Sequence, residues 1–136
     1  MVQTAGVIGI AVAKRAIAAL LGAGGAANGA VMLAAPALWY DSVPGLAHTG
    51  PFNPHFVMDI GVAYIAAGLA LMARAWRPRY WPAAVAGAAF MLGHAAIHVF
   101  DVASARTGNA DVDIWVVIVP ALLAAWTSWP AKDELT

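Results

Sequence analysis

Residues 83–103, AAVAGAAFMLGHAAIHVFDVA, decide the fold. Apart from His94, His98 and Asp101, the run holds only apolar side chains and glycine. As an α-helix rising 1.5 Å per residue it reaches about 30 Å, the thickness of a bilayer's hydrocarbon core. Three runs of the same kind accompany it, at 16–38, 55–73 and 112–129. The connectors are WYDSVPGLAHTGPFN (39–53), RAWRPRYWP (74–82) and SARTGNAD (104–111), each punctuated by Pro, Gly, Asn, Asp or Arg. Helices joined by such short links become antiparallel neighbours. The expected architecture is therefore an all-α membrane protein, a single four-transmembrane-helix antiparallel bundle over residues 1–136.

Composition points to the same solvent. A chain of 136 residues that is 62% hydrophobic and 10% charged lies outside the soluble norm and is too short to hide that much apolar surface in water. The absence of Cys excludes disulfides, thiolate metal ligands, Fe–S clusters and Cys nucleophiles. A formal net charge of zero gives no sign of a nucleic-acid partner. Residues 1–13 lack a basic stretch in front and have Lys14 and Arg15 behind. They are expected to stay in the chain as an interfacial helix or an extension of the first span. The letters KDEL at 132–135 precede Thr136 and are no retention address.

Basic residues in short loops mark the cytoplasmic side. Lys14, Arg15, Arg74, Arg77, Arg79 and Lys132 fall on one side of the expected bundle and Arg106 alone on the other. Both termini are thereby placed in the cytoplasm. The RAWRPRYW stretch, with Arg74, Arg77 and Arg79 among Trp76, Tyr80 and Trp81, reads as a lipid-facing interfacial anchor suited to anionic headgroups. Gly25 and Gly29 form a small-xxx-small pair for close helix packing, and Asn28 beside them serves as interhelical glue or as a pocket hydrogen bond.

With that topology all four histidines lie in the outer half. His48 is in the outer loop and reads as ordinary surface. His55 and Asp59 form HxxxD, while His94, His98 and Asp101 form HxxxHxxD, each pattern lining one helix face. Asn53 and Pro54 are expected to cap and open the second helix, leaving His55 and Asp59 at its positive dipole end. Ionisable side chains inside a membrane are costly and functional by default. If the two faces meet, His55, Asp59, His94, His98 and Asp101 supply a metal site. Imidazole and carboxylate without thiolate suit Zn, Cu or Fe, as a Zn-activated water attacking a lipid ester or amide, or as a redox centre served by lipid or quinone. A b-type haem between His55 and His94 or His98 is a further possibility. The same five residues also read as an internally paired polar plug. No Gly-rich phosphate loop or GxSxG nucleophile elbow is present, so no catalytic residue is assigned.

The segment WYDSVPGLAHTGPFNPHFVMDIG followed by GHAAIHVFD resembles a group of small bacterial four-helix membrane proteins with a WY…PG…TGPFNxHF outer loop and a later HxxxHxxD. The resemblance covers about residues 35–101 and implies a multi-pass protein of the bacterial inner membrane, with no activity attached. The HxxxH element also looks like that of membrane-embedded zinc amide hydrolases, whose seven-helix layout and Ser-containing motif are missing here. The competing class is a non-enzymatic accessory or assembly subunit of a larger membrane complex, docking on other subunits, membrane lipids or further copies of itself. From the basic-residue split, a reporter fused after Thr136 is expected to be active only in its cytoplasmic form. Periplasmic activity would reverse the orientation of the histidines.

Overall fold

The computed structural model describes residues 2–131 and residue 134. Lys132 and Thr136, used for the orientation and its reporter, lie outside these, as does the side chain of His48. The elements are α1 (Val2–Ala34), α2 (Pro36–Ser42), α3 (Pro54–Trp76), α4 (Trp81–Ala103), α5 (Ala110–Val112), a π-helical segment (Asp113–Ile118) and α6 (Val119–Ser128). Short 3-10 turns at Leu46–His48 and Pro78–Tyr80 lie in two of the connectors. Four helical spans, Gly9–Ala34, Pro54–Trp76, Pro78–Ala103 and Ala110–Ser128, are long and apolar enough to cross a membrane. Only 17–28% of each span is buried inside the chain, so most of the apolar surface faces outward and requires an apolar solvent. The protein is a multi-pass, all-α bundle.

The first span differs from the expected 16–38. It begins earlier, as a continuous extension through residue 2, and it stops at Ala34. Pro36 sets the stop, because a proline has no N–H to donate, clashes with the preceding turn and pushes the residue before it out of the helical region. Ala35 accordingly adopts φ −146°, ψ 63°, and Pro36 starts a separate helix. Asn28 secures that junction by accepting a 2.8 Å hydrogen bond from Trp39 Nε1. Its role is to tie α2 to α1.

The spans form a ring in which α1 packs on α3, α3 on α4, α4 on α6 with its π-helical lead-in, and α6 back on α1. The α1–α3 contact is the closest. A Cβ built on Gly22 would sit 2.7 Å from Gly68 O, one on Gly61 2.9 Å from Gly29 O, and one on Gly68 2.7 Å from Ala26 N. These distances leave no room for a side chain, so four glycines let two backbones touch. Gly25, expected to share this role with Gly29, has only ordinary contacts starting at 3.7 Å. Gly22 takes its place. Against α4, a Cβ built on Gly87 would sit 3.0 Å from Ala67 Cα of α3.

Leu71, Ala84, Ala88 and Ala124 make the central core, with Leu21 and Met91 against it. This layer separates two polar ends. The basic end carries Lys14 and Arg74, buried to 8% and 0% exposure. Arg74 makes a two-pronged pair with Glu134, at 2.6 and 3.3 Å, and Glu134 also accepts the Ala131 N–H at 2.8 Å. Lys14 Nζ donates to Trp129 O at 2.9 Å and lies 5.2 Å from the Trp126 ring centre. Arg74 is therefore no lipid-facing anchor. Its place on the inward face of α3 and the return of the chain beyond α6 enclose it. Trp81, stacked on Trp129 at 5.3 Å, likewise packs within the bundle end. Trp76 is 64% exposed, with Arg77 stacked 4.4 Å over its ring. Arg79 lies 5.1 Å over Tyr80.

Gly29→Val is expected to destabilise the detergent-solubilised protein by about 1–3 kcal/mol through forced separation of α1 and α3. Gly24→Ala, where a Cβ meets nothing within 4 Å, is expected to be neutral or slightly stabilising. Thermal unfolding of the two variants compares them directly.

Candidate functional site

At the opposite, histidine end, the loops 43–53 and 104–109 close over α4 and the π-helical segment. Asn53 caps α3 as expected, accepting the Phe56 N–H at 3.2 Å, with Pro54 at the first helical position. Tyr40 OH donates to Gly50 O at 2.6 Å and its ring packs on Phe52 at 5.1 Å, which pins the longer loop against α2. The shorter loop is set by the end of α4. Arg106 N donates to Asp101 O at 2.8 Å and Ala105 N to Val102 O at 3.2 Å, the pair of bonds that closes a helix through a left-handed residue. That residue is Ala105, at φ 53°, where glycine is the usual choice. A non-glycine residue held there costs of order 1–3 kcal/mol, and the resulting turn swings Arg106 back over Phe100, 5.0 Å from its ring.

The five expected site residues do not converge. His55 and Asp59 lie 3.6 Å apart with side chains 86% and 65% exposed, on the outward surface of α3. His94 and His98 point into the bundle with ring centres 4.7 Å apart. His94 sits in an aromatic corner, edge-on to Tyr64 at 5.9 Å and stacked with Phe90 at 6.3 Å. Among the described residues no three His, Asp or Glu side chains come together as metal ligands. The shared five-residue metal centre, the haem bridged by His55, and the plug joining the two helices through all five residues are thus overturned as geometries.

The partner that His98 does have is Asp113, which the sequence reading passed over. Asp113 Oδ1 lies 2.8 Å from His98 Nδ1. A carboxylate only accepts, so Nδ1 carries the proton and Nε2 is left as the basic nitrogen. Asp113 is 9% exposed, and its Oδ2 is buried without a hydrogen-bond partner among the described residues. Its placement depends on Pro120. Proline cannot donate to the carbonyl four residues back and crowds it. The chain relieves this by widening the preceding turn, with Val119 N donating to Ile114 O, five residues back. Such π-type widenings re-aim side chains and recur at functional sites. A sequence signal existed: an Asp one residue inside the 112–129 run, at the depth of His98, with a proline seven residues on.

His98 and Asp113 form part of the floor of a half-open vestibule of about 420 Å³, whose rim includes Asp101, Arg106 and Asn109. Its remaining wall is largely apolar, including Leu46, Val112, Val116 and Val117. The site thus presents a basic imidazole backed by a carboxylate, with Arg106 and an apolar flank beside it. Of the expected residues, His98 and Asp101 line this vestibule, His94 stands behind His98, and His55 and Asp59 take no part. Comparison of the chain with protein-family models, curated proteins and solved structures finds no match. The functional reading rests on these side chains.

Asp113→Asn is expected to shift the His98 Nδ1–H resonance upfield and to redistribute its tautomers in nitrogen-labelled imidazole NMR. Asp101→Asn should leave both unchanged. An identical His98 spectrum in the Asp113 variant would mean that the two side chains are not bonded.

Proposed function

We propose that this multi-pass protein resides in the bacterial inner membrane with its histidine end outward. In this reading it binds there an amphiphile whose head carries an exchangeable hydroxyl, with His98 as the proton acceptor. The supporting observation is the Asp113 carboxylate held against His98 Nδ1 at 2.8 Å, with both residues lining the vestibule. The carboxylate orients the imidazole and stabilises its charged form. Nε2 then takes the proton of the bound hydroxyl, the division of labour of a base and its orienting acid group. Arg106 at the mouth meets negative charge on the head, and Val112, Val116 and Val117 receive the apolar part.

Two further observations favour chemistry at one face over passage through the membrane. The core of Leu71, Ala84, Ala88 and Ala124 lies between the vestibule and the charges of the basic end. The vestibule volume of about 420 Å³ is also on the scale of a single ring or headgroup. Quinols and hydroxylated lipid heads offer the same hydroxyl chemistry, and binding separates them. Protein in nanodiscs is titrated with a short-chain quinol or with phosphatidylglycerol while the His98 imidazole resonance is followed. One of the two is expected to shift it saturably, and Asp113→Asn or His98→Gln to weaken that binding by about tenfold or more, the scale of a lost charge-assisted hydrogen bond. No response to either ligand sinks the reading.

A further inference from the structure

The HxxxD pair that the vestibule leaves unused has its own problem to solve. His55 and Asp59 project from the outward surface of α3 with side chains 86% and 65% exposed. Asp59 lies five residues inside a helix that spans the membrane, about 7–8 Å beyond its start. Ionisable side chains at such positions normally face a bundle interior or a water-filled cavity and pair with one another. Asp59 does neither within one copy beyond its contact with His55, which at 3.6 Å is longer than a good hydrogen bond. Below it the same face continues as Val62, Ala66 and Leu69, all exposed, at the i, i+3, i+7, i+10 spacing of a helix-packing seam.

We propose that this face of α3 is the contact between two copies of the chain. A two-fold axis along the membrane normal keeps both copies in one orientation and sets the two α3 helices side by side. Such an interface is isologous, so each residue faces its counterpart's neighbourhood. One donor and one acceptor, a turn apart on the same face, are self-complementary under that operation. His55 of each copy then reaches Asp59 of the other, and the two pairs close a ring of two imidazoles and two carboxylates away from lipid. Ala66 permits close approach below the ring, with Val62 and Leu69 packing on either side of it. Charge complementarity is what selects a second copy over lipid or an unrelated partner. Hydrocarbon offers Asp59 nothing, and a foreign subunit would need to supply both a donor and an acceptor in this register.

The chain has no Cys, which makes the test direct. Val62→Cys in native membranes should form an intermolecular disulfide on mild oxidation. Leu122→Cys, also exposed but on α6, diagonal to α3 across the ring, should not. Adding Asp59→Ala or His55→Ala to the Val62→Cys chain should each lower cross-linking by about tenfold or more. Co-expression of those two chains then restores one cross-copy pair in the mixed dimer. Mixed cross-links between differently tagged, equally expressed copies should exceed the sum of the two self cross-links, which is the level random pairing gives, a result that a role confined to one copy does not produce. Cross-linking at Val62 no greater than at Leu122, or mixed cross-links no greater than the two self cross-links together, would overturn the proposal. Folding of each variant is checked by an unchanged detergent melting temperature.

Discussion

Hydrocarbon makes no hydrogen bonds, and the arrangement of this protein follows from that constraint. Backbone groups inside the spans find their partners chiefly within helices, and charged side chains brought inside require partners in the protein. The result is two polar ends held apart by a core of alanine and leucine. At one end Arg74 and Glu134 form a doubly bonded pair and Lys14 caps the Trp129 carbonyl. At the other, His98 and Asp113 hold each other at 2.8 Å. Glu134 also accepts the Ala131 N–H, and among the described residues each end keeps one buried polar atom without a partner, Arg74 Nε at one and Asp113 Oδ2 at the other.

Two prolines shape the histidine end by subtraction. Pro36 ends the first span and turns the chain into α2, from which Tyr40 can reach the loop at Gly50. Pro120 widens the turn before it and thereby rotates Asp113 toward α4. In both cases the missing N–H is the cause and the redirected side chain the consequence. The strained Ala105 adds a third redirection, returning Arg106 over the end of α4. The vestibule exists because three breaks in regular helix occur near one membrane face.

The rotation of α3 explains how the histidines were parted. At 100° per residue, Asp59 lies about 180° around the helix from Gly68 and His55 about 140° from it. Gly61 and Gly68 must face α1, because only there does a missing side chain allow contact with Gly22 and Gly29. The HxxxD face is then necessarily turned outward. On α4 the reverse holds, with His94 about 20° from Gly87, where an added Cβ would sit 3.0 Å from Ala67 Cα of α3. His94 and His98 are carried inward by the same logic that carries His55 and Asp59 out.

The sequence by itself determined the solvent, the number of spans, their antiparallel order, the Asn53 cap and the gathering of histidines at one end. Each follows from properties that act along the chain: apolar length, breaker residues and side-chain periodicity. Periodicity fixes which residues share a face. It does not fix the direction in which that face points. Only packing decided this, because the rotation of each helix is set by its tightest contact with a neighbour, here the glycines of α1 and α3. For the same reason Asp113, a single acidic residue without a periodic partner, became visible as the companion of His98 only when α6 and its widened first turn were set against α4. Arg74, read as an anchor from its position among aromatic residues, became a buried ion only when Glu134 was brought back across the bundle end.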